Sequence, residues 1–343
     1  MKSFFNVVLF IVVAIVSWGV YGPMLGSGTA AMNHSAWRPF MCVGLAYFVI
    51  AVVAPLLLMQ LFGEKGHWSA KGVIWSMIAG ACGAVGAVGV ILAAKNGGRA
   101  SMIYVMPLVF GGAPVVNTFV TIFLAKTYKQ IGPAFYAGLI LVIAGSVTVL
   151  LTAPRGGSAG LVLTASQLAL VCVFTAMTAI SFGCYGPTLH KGQVAMAGSR
   201  LRPFLCVGIA YFLVAVLVPG ILLGAGAESG QSWNLSGTAW SLGGGAAGAI
   251  GALGVIMAFN LGGKPLYVMP LVFGGAPVVN TFVEVARNSA WEHIGPLFYA
   301  GLIVTAAGAV TVLVFAPRSH GPAHAPAVAD APPHKVETKA RSV

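Results

Sequence analysis

The chain has 343 residues, of which 58% are hydrophobic and only 7% are charged, and its mean hydropathy is +0.93. This composition excludes an ordinary soluble domain and is typical of an integral membrane protein. The formal net charge of +12 would indicate nucleic-acid binding in a soluble protein. Here the basic residues lie between and after long apolar segments, so we expect the lipid bilayer as a partner and no nucleic acid.

Ten apolar runs are each long enough to cross a hydrocarbon core, for which about 20 residues are needed. In chain order they lie near residues 4–24, 39–62, 72–95, 101–125, 131–152, 164–188, 203–224, 236–258, 265–286 and 294–316. The first run resembles a signal peptide, but it lacks a small-x-small cleavage site. Its motif SWGVYGP (17–23) recurs inside the chain as SFGCYGP (181–187). We therefore predict a retained first helix and an all-α membrane protein.

The first and sixth spans end in aromatic, glycine and proline residues. Trp18 and Tyr21 in the first span and Tyr185 in the sixth are candidate substrate-binding residues. Aromatic rings with a polar tip suit a cavity wall, and they also suit an interfacial belt. Both interpretations stay open at this stage.

The second and seventh spans begin with Arg38 and Arg202 and carry Tyr47 and Tyr211 at deeper positions. Buried tyrosine hydroxyls need partners, so both tyrosines join the candidate substrate-binding residues. Each arginine is either a gate or anion contact at one mouth of a pathway, or an anchor whose side chain reaches the interface. Frequent glycines in the third and eighth spans predict closely packed helices.

The segment YVMPLVFGGAPVVNTFV occurs in the fourth span (104–120) and again in the ninth (267–283). A proline inside a helix removes one backbone hydrogen bond and crowds the preceding turn. We therefore expect both spans to be broken at flexible points that face the protein interior, although a static kink for packing is the alternative. The candidate hinge residues are Pro107, Gly111, Gly112, Pro114, Pro270, Gly274, Gly275 and Pro277.

Polar residues within the same segments are the main candidates for substrate contact. Asn117 and Asn280, with Tyr104 and Tyr267, lie on or beside the proline-bearing face of each helix. Because each asparagine lies near the centre of its span, we expect the two amides at similar depth in the membrane. The alternative is that each asparagine only bonds a neighbouring helix.

Glu284 is the one acidic residue that we place inside a span. Acidic residues within membrane spans commonly serve function, so Glu284 is a candidate proton-coupling residue. The alternative is an exposed carboxylate near the helix end that pairs with Arg287.

The internal duplication covers most of the chain. RPFMCVGLAYFVIAVVAP (38–55) matches RPFLCVGIAYFLVAVLVP (202–219), and IGPAFYAGLI (131–140) matches IGPLFYAGLI (294–303). Each copy has five spans, and since five is odd the second copy must enter the membrane from the opposite side. We therefore predict two inverted five-helix repeats. Their boundaries are 1–154 for the first repeat, 155–317 for the second and 318–343 for a disordered cytoplasmic tail.

The basic residues concentrate in the loops that are cytoplasmic if the N-terminus is inside. This favours a multi-pass protein of the cell (inner) membrane with both termini in the cytoplasm. The spans lack the His, Asp, Glu or Ser/His clusters of an enzyme, and the five cysteines have no metal-ligand spacing. We expect no catalytic residue, no cofactor and no metal.

Ten spans in two inverted halves, with Trp18-Gly19 in the first span and prolines in the fourth, resemble the drug/metabolite transporter (DMT) superfamily, particularly its EamA-like members. IGPAFYAGLILVIAGSVTVL (131–150) and IGPLFYAGLIVTAAGAVTVL (294–313) look like the fifth and tenth spans of that family. The resemblance implies a cavity lined by spans 1–4 and 6–9, and homodimer contacts through spans 5 and 10.

The sequence thus predicts a secondary transporter that moves a small polar organic metabolite by alternating access. Few charges lie within the spans, which favours a neutral or zwitterionic substrate, and Arg38 and Arg202 keep a monoanion as the alternative. Two alternatives remain, a non-transporting membrane scaffold or sensor and a passive facilitator.

Overall fold

The computed structural model describes residues 2–126, 129, 131–152, 163–263, 265–289 and 291–316, and these residues form helices and no strand. Ten helices are long and apolar enough to cross a membrane, which confirms the prediction of an all-α protein with ten spans. They are α1 (Lys2–Ala31), α2 (Trp37–Phe62), α3 (Ala70–Gly97), α4 (Met102–Ala125), α5 (Pro133–Thr152), α6 (Ala165–Ala195), α7 (Leu201–Gly224), α8 (Leu235–Asn260), α9 (Pro265–Arg287) and α10 (Pro296–Val314). The expected repeat boundary at 154/155 and the tail over 318–343 lie outside the described residues.

Two helices extend further than the sequence predicts. α1 and α6 continue through Pro23 and Pro187 to Ala31 and Ala195, whereas we expected them to end near residues 24 and 188. The last two turns of α1 are rich in Gly, Ser and Thr, which is a loop-like composition. There the Ser27 hydroxyl donates to a carbonyl of the preceding turn, and glycines allow α8 to pack closely. Tertiary packing therefore sustains helical turns that local composition does not favour.

The repeated segment is not broken. α4 runs as one helix through Pro107 and Pro114, and α9 does so through Pro270 and Pro277, so the expected helix break is wrong. Each proline removes only one backbone hydrogen bond, and in a membrane protein packed neighbours and hydroxyl side chains can satisfy the freed groups. The hinge role of these prolines stays a prediction.

α2 and α7 each contain a π-helical segment that the sequence did not reveal. The segments are Val49–Val53 and Leu213–Leu217. Each is followed within two residues by a proline, Pro55 or Pro219, whose missing N–H interrupts the regular ladder of hydrogen bonds. Wider turns of this kind are frequent at functional sites.

Equivalent helices of the two copies pack against each other in reversed order. Gly44 on α2 faces Ala215 on α7, and Gly208 on α7 faces Ala51 on α2. Positions 44 and 208 are equivalent in the duplication, as are 51 and 215. Because the order of contacts reverses along the two helices, α2 and α7 are antiparallel.

The remaining helices pack across the two copies. α1 packs along α8 and α9, and α6 packs along α3 and α4. α2 likewise packs on α8, and α7 packs on α3. The first helix of each copy is therefore embedded in the other copy, and the ten helices form one interlocked bundle.

α5 and α10 form an antiparallel pair in which glycines allow the backbones to meet. A Cβ atom at Gly145 of α5 would overlap the backbone nitrogen of Thr305, and one at Gly308 of α10 would overlap that of Val142. Small residues at such crossings allow the close packing that stabilises helix pairs in lipid.

We expect Gly145→Ala to lower the apparent melting temperature of the purified protein in detergent, because the added methyl group overpacks this crossing at a cost of about 1–3 kcal/mol. Gly132→Ala is the matched control, since a Cβ there would meet open space. Equal melting temperatures for the two variants would contradict this account of the α5/α10 contact.

Candidate functional site

Four tyrosines from four helices lie together in the bundle interior. Tyr21 of α1, Tyr185 of α6 and Tyr211 of α7 all interact electrostatically with Tyr47 of α2. The Tyr47 and Tyr211 rings are stacked, with centroids 3.8 Å apart and planes 3° from parallel. The structure thus brings together four of the tyrosines that the sequence singled out.

Glycines on two flanking helices make room for this cluster. A Cβ atom at Gly83 of α3 would lie 2.9 Å from the Tyr211 hydroxyl, and one at Gly248 of α8 would lie 3.1 Å from the Tyr21 ring. Tyr21 is only 6% exposed and lies ten residues before the end of α1, so the interfacial-belt interpretation is wrong for it. The Tyr185 hydroxyl is buried and interacts with the Tyr47 hydroxyl, outside the geometry of a regular hydrogen bond. It is a polar atom that a ligand could engage.

An aromatic contact chain extends from this cluster to α4 and α9. Trp18 donates its indole N–H to the Gly248 carbonyl at 3.2 Å, and its ring centroid lies 6.0 Å from that of Phe273. Phe273 in turn lies 6.2 Å from Phe110 in an edge-to-face arrangement. Phe110 and Phe273 are equivalent positions that we did not select as site residues, although their place just before each Gly-Gly-Ala-Pro was a usable signal.

The two asparagines have different environments. Asn280 is 0% exposed and donates its side-chain N–H to the Met102 carbonyl at 3.0 Å. Asn117 is half-buried, and its backbone carbonyl accepts a hydrogen bond from the Thr121 hydroxyl at 2.8 Å. The asparagine of α9 is therefore fully buried, whereas the equivalent asparagine of α4 is only partly buried.

The expectation that both amides share one depth is wrong. Asn280 lies beside Met102 at the start of α4, whereas Asn117 lies fifteen residues further along that helix. At 1.5 Å per residue the two are roughly 22 Å apart along the axis. α4 and α9 run antiparallel, so equivalent residues meet only at the crossing point, which is at Phe110 and Phe273. One small molecule cannot contact both asparagines.

Tyr104 is 7% exposed and belongs to the apolar core, and the side chain of Tyr267 lies outside the described residues.

The glycine pairs of the repeated segment contact neighbouring helices. The side chains nearest to these glycines are those of Thr305 of α10 for Gly111, Ala179 of α6 for Gly112, Val310 of α10 for Gly274 and Ile15 of α1 for Gly275. α10 therefore packs on both repeated segments.

Arg38 is buried and paired. Its guanidinium lies 3.6 Å from the Glu228 carboxylate, in the loop between α7 and α8, and donates to the Glu228 carbonyl at 3.3 Å. The carboxylate also accepts the Ser35 hydroxyl at 2.5 Å, the Ala36 N–H at 2.8 Å and the Lys95 ammonium at 3.2 Å. Glu228 thus caps the N-terminus of α2 from the other copy. We call the end of the bundle that carries these residues the Arg38 end.

Arg202 has the equivalent arrangement at the opposite end, the Arg202 end. It pairs at 3.1 Å with Glu64, in the loop between α2 and α3. Glu64 also accepts the Ser199 hydroxyl at 2.7 Å and the N–H groups of Arg200 and Leu201 at 2.7 and 2.8 Å. Neither predicted gate arginine therefore lacks an acidic partner. We missed both glutamates, although each precedes a glycine-containing loop at equivalent positions, 64 and 228.

Glu284 is buried in the bundle, so the exposed-carboxylate interpretation is wrong. Its side chain is 0% exposed, and one carboxyl oxygen accepts the Asn288 side-chain N–H at 2.6 Å. The other oxygen has no partner, and no cation lies within 4 Å of the carboxylate in the described part of the chain. A buried carboxyl of this kind is a functional candidate.

The structure also shows an apolar groove of about 470 Å³ between α9 and α10, away from the tyrosines. Phe282, Trp291 and Ile303 line it and are more than half exposed. It lies on the outside of the bundle, where lipid chains would cover it.

Among the described residues, no group of three or more His, Cys, Asp or Glu side chains could hold a metal ion. No protein-family model matches the chain, and no curated protein matches it in sequence. The expected membership of the DMT superfamily therefore stays a prediction from the residues of this sequence.

The pH dependence of stability tests whether the charge of the Glu228 carboxylate contributes to the cap on α2. Burial raises the pKa of the Glu228 carboxyl. The hydrogen bonds from Ala36 and Ser35 and the nearby Lys95 together lower this pKa by more than burial raises it, so it lies below the ordinary value of 4.5. A lowered pKa in the folded state means that the carboxylate stabilises the protein above pH 4.5 and loses this effect as the pH falls through the folded-state pKa.

We expect Glu228→Gln to reduce stability at pH 7 by about 1.5–3 kcal/mol, the usual value of hydrogen bonds to a charged group. The difference from wild type should shrink below pH 4.5, as followed by thermal melting in detergent. Glu292→Gln, at an exposed position, is the control and should change little at either pH. A loss for Glu228→Gln that is equal at both pH values would contradict the role of the carboxylate charge.

Proposed function

We propose that this protein is a secondary transporter of the DMT superfamily, EamA-like, which moves a small polar organic metabolite across the membrane by alternating access. The observation that carries the proposal is the unequal packing of equivalent residues at the two ends of one interlocked bundle. Asn280 is sealed at the Arg38 end, whereas its equivalent Asn117 is half-exposed towards the Arg202 end.

Two inverted five-helix repeats are part of this proposal. Antiparallel contacts between equivalent helices support it, as in the Gly44–Ala215 and Gly208–Ala51 pairs of α2 and α7. The reciprocal caps support it as well, because Glu228 caps the N-terminus of α2 and Glu64 caps that of α7 at the opposite end of the bundle. Inverted repeats give a protein two near-equivalent arrangements, each open to a different side.

The unequal ends favour one of these arrangements. At the Arg38 end, Gly22 of α1 lies against Met106 and Asn280, so α1, α4 and α9 meet there. At the Arg202 end the packing is looser, because the three atoms nearest to a Cβ at the equivalent Gly186 belong to Asn117 at 3.1–3.7 Å, against 2.3–3.0 Å for the atoms nearest to a Cβ at Gly22. We infer that the structure is closed at the Arg38 end and open towards the Arg202 end. If the Arg38 end opened while the Arg202 end closed, a bound solute would move from one side of the membrane to the other.

The central tyrosine cluster is the proposed substrate site. Tyr47 and Tyr211 stack in this cluster, Tyr185 places its hydroxyl near that of Tyr47, and Trp18 connects the cluster to the crossing of α4 and α9. Because glutamates hold Arg38 and Arg202, neither arginine is free to bind an anionic group. A small neutral or zwitterionic molecule with hydrogen-bonding groups suits this lining best.

The proposal includes an inner-membrane location with both termini in the cytoplasm, which makes the Arg202 end cytoplasmic. It also includes homodimer contacts through α5 and α10. The free faces of these helices are apolar, with Tyr136, Ile140 and Ile143 of α5 and Ile303 of α10 more than half exposed.

Thiol labelling tests which end is open. In a background without the five native cysteines, we expect Asn117→Cys to react with a membrane-impermeant maleimide added at the Arg202 end, because this position is half-exposed. Asn280→Cys should be protected from both sides, since the position is buried. A scaffold would leave both thiols unreactive under all conditions, and strong labelling at 280 with protection at 117 would contradict the assigned state.

Uptake tests the function itself. A solute screen by thermal shift comes first, because a ligand at 100 times its Kd stabilises the folded state by about 2.7 kcal/mol. For a solute found in this way, we expect Tyr185→Phe and Asn117→Ala to reduce uptake into proteoliposomes several-fold, while Asn6→Ala, at an exposed position, leaves it unchanged. Full uptake by both site variants would remove this site, and uptake without accumulation under any gradient would indicate a passive facilitator.

A further inference from the structure

The end of α9 is fastened to α1 and α8 by Arg287. Its guanidinium donates to the Pro23 carbonyl at 3.1 Å and to the Ser27 hydroxyl at 2.6 Å, both on α1. It also lies 4.4 Å from the ring centroid of Trp240 on α8. The equivalent position in the first copy is Leu124, which has no donor. Among the residues that the structure describes, this fastening therefore exists at one end of the bundle.

A second set of contacts joins α9 to the start of α4. Arg99 donates to the Asn288 side chain at 3.1 Å and to the Arg287 carbonyl at 3.4 Å, and Asn280 donates to the Met102 carbonyl. We call Arg99, Asn280, Arg287 and Asn288 the α9 latch. At the Arg202 end, no side-chain hydrogen bond joins α4 to α6 within the described ranges.

The closed latch buries oxygens that have no partner. The side-chain oxygen of Asn280 and one carboxyl oxygen of Glu284 are both buried and unsatisfied. The two residues are four apart in α9, so their side chains are neighbours on the same face of the helix. Two acceptors cannot bond each other, and each loses its hydration on burial. One proton between them would satisfy both.

The equivalent position at the Arg202 end carries a hydroxyl donor, which bonds the backbone carbonyl of Asn117 at 2.8 Å. Thr121 occupies the position of Glu284, and its hydroxyl lies 3.5 Å from the side-chain oxygen of Asn117. A threonine hydroxyl is a donor at every pH, whereas a glutamate is a donor only when protonated. The duplication therefore differs at this position in a titratable group.

We propose that Glu284 takes up a proton when the Arg38 end closes and donates it to the side-chain oxygen of Asn280, so that closure of this end is coupled to proton binding. The inference rests on the proposed alternating access. When the latch opens, water replaces the proton as partner of both oxygens and the carboxyl ionises. Low pH on the Arg38 side thus favours closure, and high pH favours opening.

The charges around Glu284 allow this. Arg99 and Arg287 are the cations that act on it, and both guanidiniums are committed to the latch contacts, beyond ion-pair distance of the carboxylate. α4, α8 and α10, which pack on α9, contain no Asp, Glu, Lys, Arg or His, and the one such residue in α1, Lys2, is at its other end. The remaining titratable groups of these four helices are Tyr21, Tyr104 and Tyr299, and none of them is a carboxyl.

The experiment measures opening of the latch without a substrate. Met106, which is 1% exposed and packs on Gly22, is changed to Cys in a background free of native cysteines. Labelling by an impermeant maleimide from the Arg38 side is followed from pH 5.5 to 8.5. Rates are divided by those of a thiol at exposed Ala31, which removes the intrinsic pH dependence of the reagent.

With Glu284 present, we expect the normalised labelling rate to rise with pH, by about tenfold for each unit by which closed and open states differ in proton affinity. Glu284→Gln and Glu284→Thr carry a permanent donor, so both should hold the low rate at every pH. Glu292→Gln, on the same side, should behave as the parent.

Three results would overturn the proposal: a pH response that persists in Glu284→Gln, a response of opposite sign, or a parent protein with no response. The last two would indicate an ionised Glu284 held by the arginines. The readout is independent of transport. A pH-gated latch without solute uptake would therefore refute the transporter function alone, and uptake with an ungated latch would refute the proton site alone.

Discussion

The exchange of α1 and α6 between the two copies is the packing constraint on which the other features depend. Each of these helices lies along two helices of the opposite copy, so neither copy can bury its interior by itself. Side chains on α1 and α6 consequently meet those of α2 and α7 in the interior, which is where Tyr21, Tyr47, Tyr185 and Tyr211 come together. Since helices in lipid associate through close packing and hydrogen bonds, the glycines at these crossings are as important as the aromatic rings.

The interlocked arrangement makes the two ends of the bundle comparable position by position. The loop glutamates show the equivalence, because Glu64 and Glu228 cap the opposite copy in the same way. The ends of α4 and α9 show the departure from it, because Arg287 and Glu284 replace Leu124 and Thr121. If the bundle alternates between two arrangements as proposed, a duplication whose polar residues differ at one end would give them unequal stability. In the proposed mechanism, this inequality is what a proton adjusts.

Several features could be predicted because they follow from composition or from the repeat itself. Ten helices follow from ten apolar runs of sufficient length. The sequence left the interior position of Tyr21 open against an interfacial belt, and its 6% exposure in the structure decided the question. The depth of Asn117 and Asn280 could not be predicted from the same reasoning, since it depends on where α4 and α9 cross. That crossing is fixed by Phe110 and Phe273 and by the helices that pack around them, and no local pattern records it.

The sequence by itself determined the membrane class, the ten helices and the pairing of equivalent positions, because hydropathy and letter identity are properties of the chain alone. Only the tertiary structure decided that α1 and α6 continue through Pro23 and Pro187, that α4 and α9 pass unbroken through their prolines, and that Arg38 and Arg202 have acidic partners. In each case the deciding energy comes from residues far away in the chain. A helical turn of Gly, Ser and Thr persists where α8 packs on it, and an arginine is neutralised where a loop from the other copy delivers a glutamate.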